Sequence, residues 1–477
     1  MNGLMLTGMS VVFLGSAETQ PATSSALRDQ ALAAMKRAAV FFRTQVATRG
    51  GYLWEYSLDF KHRAGEGTAI PTQIWVQPPG TPSVGEVFLE AYRATGDRYY
   101  LDGAVEAAHA LAWGQLSSGG WDYLIDFDPN KSKAWHYRRD VEAGDTQAGR
   151  RRCVTTFDDD NSQSALRFLM RVDKTLDGQD PTVRTAVEYG LRHFLLAQYP
   201  NGAWPQRYVA KQPPEKFPVL RARYPENWSR TYPKRDYGSF YTFNDNTIPD
   251  CITTMLLAHD LYGKPEYLAS ARRGGDFILL AQMPEPQPVW AQQYNANMEP
   301  DWARKFEPPA VTAGESIGAM MALRAVFQAT GDPTYIEPLP RALAWYKRSR
   351  LPDGRWARFY ELKTNTPLYF TRGQYELTYD DRSTPEHYAF KGAWNPAEIE
   401  SWYQRVTRVP RDQWHAVALE MAKKRSQKPA RVDARSVRKV IDALDDQGRW
   451  ASGQKVLCGV FITNMNELIG CVRPIHP

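Results

Sequence analysis

SVGEVFLEAYRATGDRYYLDGAVEAAHALAWGQLSSGGW, Ser83 to Trp121, decides the fold. Apolar residues recur at helical spacing, a Gly-Asp pair closes the first helix, a second helix follows, and the unit ends in a loop carrying tryptophan. The same skeleton returns in SQSALRFLMRVDKTLDGQDPTVRTAVEYGLRHFLLAQYPNGAW, Ser162 to Trp204. It returns again over Thr247 to Gln282, with its turn at Tyr262-Gly263, and over Glu315 to Trp356, with its turn at Thr330-Gly331-Asp332. An earlier helix from Ser25 to Thr48 ends at Gly50-Gly51. Strand alternation is scarce. Stacked helix pairs with one apolar face each must close into a ring or extend as a solenoid. Irregular repeat lengths and long tryptophan loops favour closure, so the expected class is all-α, an (α/α) toroid of helical hairpins with minor β structure and its loops gathered around a cleft.

Three regions are expected: a leader over 1–20, the toroid over 25–405, and a C-terminal basic helical and β extension over 406–477 packed on it. The leader reading rests on the apolar run Leu4 to Leu14 followed by Gly15-Ser16-Ala17, which resembles a secretory signal and points to a secreted or periplasmic protein. No later segment is apolar enough to span a membrane. Within the extension, KVLCGVFIT reads as a strand, and Cys458 and Cys471 could form a disulfide after export. Nothing in the four cysteines resembles a zinc site.

A formal charge of +6 in 477 residues suits an anionic ligand without demanding one, and no nucleic-acid partner is expected. An aromatic content of 12% provides rings that can stack on sugars or fill a helical core, and composition alone leaves both open. Two long interruptions, Asn130 to Arg152 and Val209 to Ser239, mix aromatic and basic residues and are expected to line a substrate.

The sharpest chemical cluster is TFDDDNS, Thr156 to Ser162, at a helix start. One Asp suffices as a cap; three adjacent carboxylates repel unless a cation or basic group neutralises them. YTFNDN, Tyr241 to Asn246, occupies the equivalent position one repeat later. If the ring closes, Asp158 and Asp159 meet Asn244 and Asp245 at one end. GRWARFYELKTNTPLYFTRG places Arg358 and Arg372 around an aromatic segment, suited to bidentate recognition of carboxylates. QYPNGAWPQRY presents Trp204 and Arg207 after a Pro-Asn-Gly turn.

These four stretches, in this order from Phe157 to Arg372, resemble the pectate lyases of polysaccharide lyase family 10. The resemblance implies an (α/α) toroid, Ca²⁺ dependence, an anionic uronate polymer as substrate and an arginine as base. By position it makes Asp158, Asp159 and Asp245 metal ligands and Arg372 the catalytic arginine. It makes Arg358 a substrate contact, and Arg207, Trp204, Asn244 and Arg382 are read beside it as further contacts. Asp159 stands where the family has Asn, and Arg382 or His387 stand where its last substrate-binding arginine is expected. Because arginine is rarely deprotonated, Tyr369, Lys363 and His387 are alternative bases. A monomer is expected. The competing readings are a glycoside hydrolase working through paired Asp residues on the same toroid, and a glycan-binding protein without catalysis.

Overall fold

The computed structural model describes residues 25–427 and 433–473; the expected leader lies outside the described residues. Its helices are α1 (Ser25–Phe41), α2 (Thr81–Thr95), α3 (Arg98–Trp113), the short α4 (Arg138–Glu142), α5 (Asn161–Thr175), α6 (Pro181–Ala197) and α7 (Thr247–Tyr262). They continue as α8 (Pro265–Ala281), α9 (Ala313–Thr330), α10 (Leu339–Arg348), α11 (Ala397–Val406), α12 (Trp414–Gln427), α13 (Ala434–Asp442) and α14 (Cys458–Val472). Each expected hairpin forms, as α2/α3, α5/α6, α7/α8 and α9/α10. One course of helices runs side by side from α14 through α2, α5, α7 and α9 to α12, while α3, α6 and α8 back their hairpin partners. This is the (α/α) toroid read from the repeats.

The hairpin turns are set by local chemistry. Gly96, Gly263 and Gly331 occupy the left-handed region at φ 71°, 67° and 75°, where a Cβ is unfavourable, and each N–H closes on the carbonyl four residues back. Asp97, Asp180 and Asp332 then cap the next helix by accepting backbone N–H bonds, a contribution of about 1 kcal/mol each.

The tryptophan of each loop plays a structural part. The indole N–H of Trp121 donates to Leu111 O, Trp204 to Phe194 O, Trp356 to Tyr346 O and Trp450 to Val440 O, always ten residues back; Trp290 reaches Ile278 O. Trp121, Trp204 and Trp290 are fully buried. Each ring plugs the open end of its hairpin and satisfies a helix-terminal carbonyl. Trp204, expected on a substrate loop, is therefore a core residue whose ring cannot reach a sugar.

Trp450 places the same indole bond after α13. The C-terminal stretch is thus built into the ring: α14 packs on α1 and α2, and the strand Lys455–Leu457 pairs with Glu55–Ser57 near the N-terminus. Only Lys455–Leu457 of KVLCGVFIT is strand; the helix begins at Cys458. All four cysteines are free, and Cys458 and Cys471 share α14. Thirteen residues along a helix separate them by ~20 Å, far beyond bridging distance. A four-stranded sheet runs through Leu377–Thr378, Pro367–Phe370, Phe359–Glu361 and Ala310–Thr312, with Phe359 opposite Thr312 and Leu368. It leads directly into α9. No helix of the described residues is long and apolar enough to cross a membrane.

Candidate metal and substrate site

α5 and α7 begin in the same unusual way. Asp158–Asp160 and Asn244–Asn246 each form one tight turn ahead of the helix, and in each the last two residues lie in the left-handed region: Asp159 and Asp160 at φ 53° and 57°, Asp245 and Asn246 at 46° and 60°. Asp and Asn are the non-glycine residues that tolerate this conformation best. The strand residues before the two turns also correspond, Thr156 pairing with Arg207 and Thr242 with Gln293. Adjacent placement of α5 and α7 brings the turns together. The Thr247 hydroxyl donates to Phe157 O at 3.2 Å, and Gln163 Nε2 donates to the same oxygen at 2.7 Å.

Asp158, Asp159 and Asp245 consequently converge, each offering a ligand oxygen within 4.8 Å of the others. Asn244 holds the pair of turns in register, its Nδ2 donating to Asp158 at 3.3 Å and to Asp245 at 2.6 Å. The Tyr123 hydroxyl adds a 3.3 Å bond to Asp158. Burial and then the Asp158 and Glu66 charges push Asp159 up to about 6; burial and then Asp158, Glu315 and Asp159 push Asp245 up to about 7. Asp158 is also raised, first by burial, with Arg304 opposing the rise. Three carboxylates at this separation, each destabilised in its charged form, make an oxygen-donor set that a divalent cation fits. Asp160 is excluded from the set because both its oxygens accept from Arg167, at 2.7 and 2.5 Å.

Two guanidinium groups border the carboxylates. Arg358 pairs with Glu315 at 2.7 Å, donates to the Tyr388 hydroxyl at 3.1 Å and to Ala389 O at 2.9 Å, and keeps a side-chain exposure of 12%. Burial lowers its pKa, but Glu315 and the neighbouring acids outweigh this and raise it. Arg304 forks onto the buried Glu307 at 2.8 and 2.6 Å and is likewise held protonated against burial. Tyr388 connects both halves: its hydroxyl accepts from Arg358 and from Gln292 (3.2 Å) and faces Glu307 Oε1 at 3.1 Å and Asn244 Oδ1 at 3.3 Å.

Of the residues picked from sequence, Asp158, Asp159, Asp245, Asn244 and Arg358 assemble into one site, and Arg207 stands close enough for its charge to act on Asp158. Trp204 does not join them. Arg372 is exposed, ion-paired with Glu386 at 2.7 Å and bonded to Thr384 O; Arg382 forks onto Asp380 two residues away. Neither touches the carboxylates. Among the alternative bases, Tyr369 is buried, Lys363 lines a different cleft, and His387 is exposed with its ring edge-on to Phe306. Arg304, Glu307, Glu315 and Tyr388 are site residues that sequence reading missed. Only Glu315 carried a signal, as the acid opening α9 at the start of the fourth hairpin.

Residues 126–355 match the family model described as pectic acid lyase. No curated protein matches the chain. Among solved structures, the family 10 polysaccharide lyase of Cellvibrio cellulosa is 19% identical, with 72% of this chain and 96% of that chain covered and a TM-score of 0.45. The cellobiose 2-epimerase of Bacillus thermoamylovorans is 11% identical over 94% of this chain and 99% of that one, at 0.47. A glycoside hydrolase family 76 mannosidase of Bacteroides thetaiotaomicron is 10% identical, over 94% and 98%, at 0.44. The family resemblance is thus borne out over the segment holding both acid turns and the Pro-Asn-Gly loop, while the stretch leading to Arg372 runs beyond the match.

Proposed function

We propose that this protein cleaves a uronic-acid polysaccharide of the polygalacturonate type by β-elimination, with Ca²⁺ held by Asp158, Asp159 and Asp245. The observation that carries the reading is the convergence of these three carboxylates, from two repeat-related helix starts, beside Arg304 and Arg358. The C5 proton of a uronate is hard to remove while the adjacent carboxylate is charged. When bound, the cation supplies Lewis-acid neutralisation of that carboxylate. Arg358, fixed by Glu315 and Tyr388, presents a planar donor to the same group and stabilises charge as it develops. The base takes the C5 proton, the C4–O4 bond breaks, O4 takes a proton from water, and an unsaturated sugar end remains.

We assign Arg304 a charge-stabilising part beside Arg358. A guanidinium acts as a base only where its surroundings oppose the protonated form. Burial opposes that form at Arg304, but Glu307, with Tyr388 and Asp158, outweighs it and keeps the guanidinium protonated. Arg372 is exposed, with Glu386 as its counter-ion. The separation of the carboxylates also disfavours an inverting hydrolase, which needs about 6.5–9.5 Å between its acid and base. The test is incubation with polygalacturonate in Ca²⁺ or EDTA while following ultraviolet absorbance of the unsaturated product. Cation-dependent absorbance is expected; reducing ends released in EDTA without absorbance would identify a hydrolase.

A further inference from the structure

Outside the carboxylate site, the insertion Val209 to Ser239 builds a second cleft of about 250 Å³ against the turn that follows the strand Phe359–Glu361. Pro225, Glu226, Asn227, Trp228 and Arg230 form one wall, Leu362 and Lys363 the other. We propose that this cleft is a second binding site for an acidic sugar of the polymer, away from the reaction centre; its ligand class rests on the lyase reading.

The cleft is firmly built. Lys363 takes the left-handed conformation at φ 69°, and its backbone N–H is fixed by Gln287 Oε1 at 2.8 Å, while Gln287 Nε2 holds Glu361 O at 2.9 Å. On the insertion side, Ser229 O accepts the indole N–H of the buried Trp302 at 2.7 Å. Arg230 pairs with Glu361 at 2.5 Å, and the Tyr379 hydroxyl bonds the same carboxylate at 2.9 Å. Both walls are therefore anchored before any ligand arrives, which lowers the ordering cost of binding.

The chemistry of the lining selects the ligand. Trp228 is half-buried, and its indole N–H has no hydrogen-bond partner among the described residues, so the cleft offers an apolar ring face with a free donor. The Arg230 guanidinium lies 5.3 Å from that ring. Lys363 is exposed and has no carboxylate within ion-pair distance among the described residues; its ammonium sits 6.0 Å from the Tyr224 ring. A stacking face beside an uncompensated ammonium fits a pyranose bearing a carboxylate, and the exposed Glu226 and Asn227 can meet its hydroxyls. The strand bearing Glu361 begins next to Arg358, so the turn reaches at most ~17 Å from the reaction site. A long chain could occupy both places; a short one could not.

The experiment is affinity electrophoresis of the full chain through gels containing polygalacturonate or a neutral galactan, with EDTA present so that no polymer is cut. Wild type is expected to be retarded by polygalacturonate only. Lys363→Ala and Trp228→Ala should weaken that binding about five- to thirtyfold, the range for losing one cationic or stacking contact, with turnover of a trimer in Ca²⁺ unchanged. Lys363 is exposed, so its variant tests the site even if Trp228→Ala fails to fold. Undiminished retardation of K363A, or equal retardation by the galactan, would overturn the proposal. Lysine-dependent retardation in a protein that cuts no uronan would uphold this site and sink the lyase reading instead.

Discussion

The paired turns at the starts of α5 and α7 and the segment carrying Arg372 and Arg382 both concentrate charge, yet they balance it differently. In the segment the partners are close in sequence: Arg382 with Asp380, Arg372 with Glu386. In the site they come from distant parts of the chain: Asn244 with Asp158, Arg358 with Glu315, Tyr388 with Asn244 across 144 residues. Locally balanced charge is exposed, screened and free to vary; charge balanced across the fold is buried and held at fixed geometry, where electrostatics gain strength. On the proposed function, that difference separates the residues that would do chemistry from Arg372 and Arg382.

The comparison can be broken most directly at its acid side. Asp245→Ala should lower kcat/KM on polygalacturonate about 10³-fold, since it removes a cation ligand supporting several kcal/mol of charge neutralisation, and should abolish stabilisation by Ca²⁺ in thermal melts. Full Ca²⁺-dependent activity in this variant would end the metal assignment. Arg304→Ala should cost about 10²- to 10³-fold in kcat with the fold intact by circular dichroism. Asn244→Ala leaves every carboxylate in place but removes the amide that aligns them, so Ca²⁺ affinity measured by calorimetry should fall about 10- to 100-fold. The smallest effect is expected at the other pole: Arg372→Ala should change kcat/KM by no more than about threefold, as befits an exposed ion pair. A large loss of kcat there would give Arg372 the base role that its motif implies.

A fifth substitution sharpens the reading of the tryptophans. Trp204→Ala should destabilise the protein by about 3–5 kcal/mol in denaturant titrations, because it deletes a fully buried ring and leaves Phe194 O unpaired. A sugar-stacking residue would instead change KM and leave the denaturation midpoint alone.

How much was legible follows from these particulars. Helical periodicity and Gly-Asp turns specify the hairpins, and two similar acid turns one hairpin apart must meet if the ring closes, so Asp158, Asp159 and Asp245 could be grouped from the chain alone. Trp204 could not be assigned, because a tryptophan after a turn has the same local pattern whether it plugs a helix end or faces a sugar. Arg304, Glu307 and Tyr388 lie in irregular segments without periodicity, and their convergence with Asn244 depends on how three loops fold over the ring. Arg372 shows the opposite case: its motif was clear, but a motif carries no information about exposure. The C-terminal helices were obscured because α13 is only nine residues long and α14 opens on the β-like KVLCGV.

The recurring indole bond explains how the long insertion is tolerated. Trp204 pins its own hairpin five residues before Val209, so the chain that follows leaves from a closed end and returns at Tyr241 without either helix sensing its length. Such fastenings turn the rim into a row of interchangeable sockets: the toroid can acquire new specificity by lengthening what comes after an indole, while the frame that aligns the acids stays as it was.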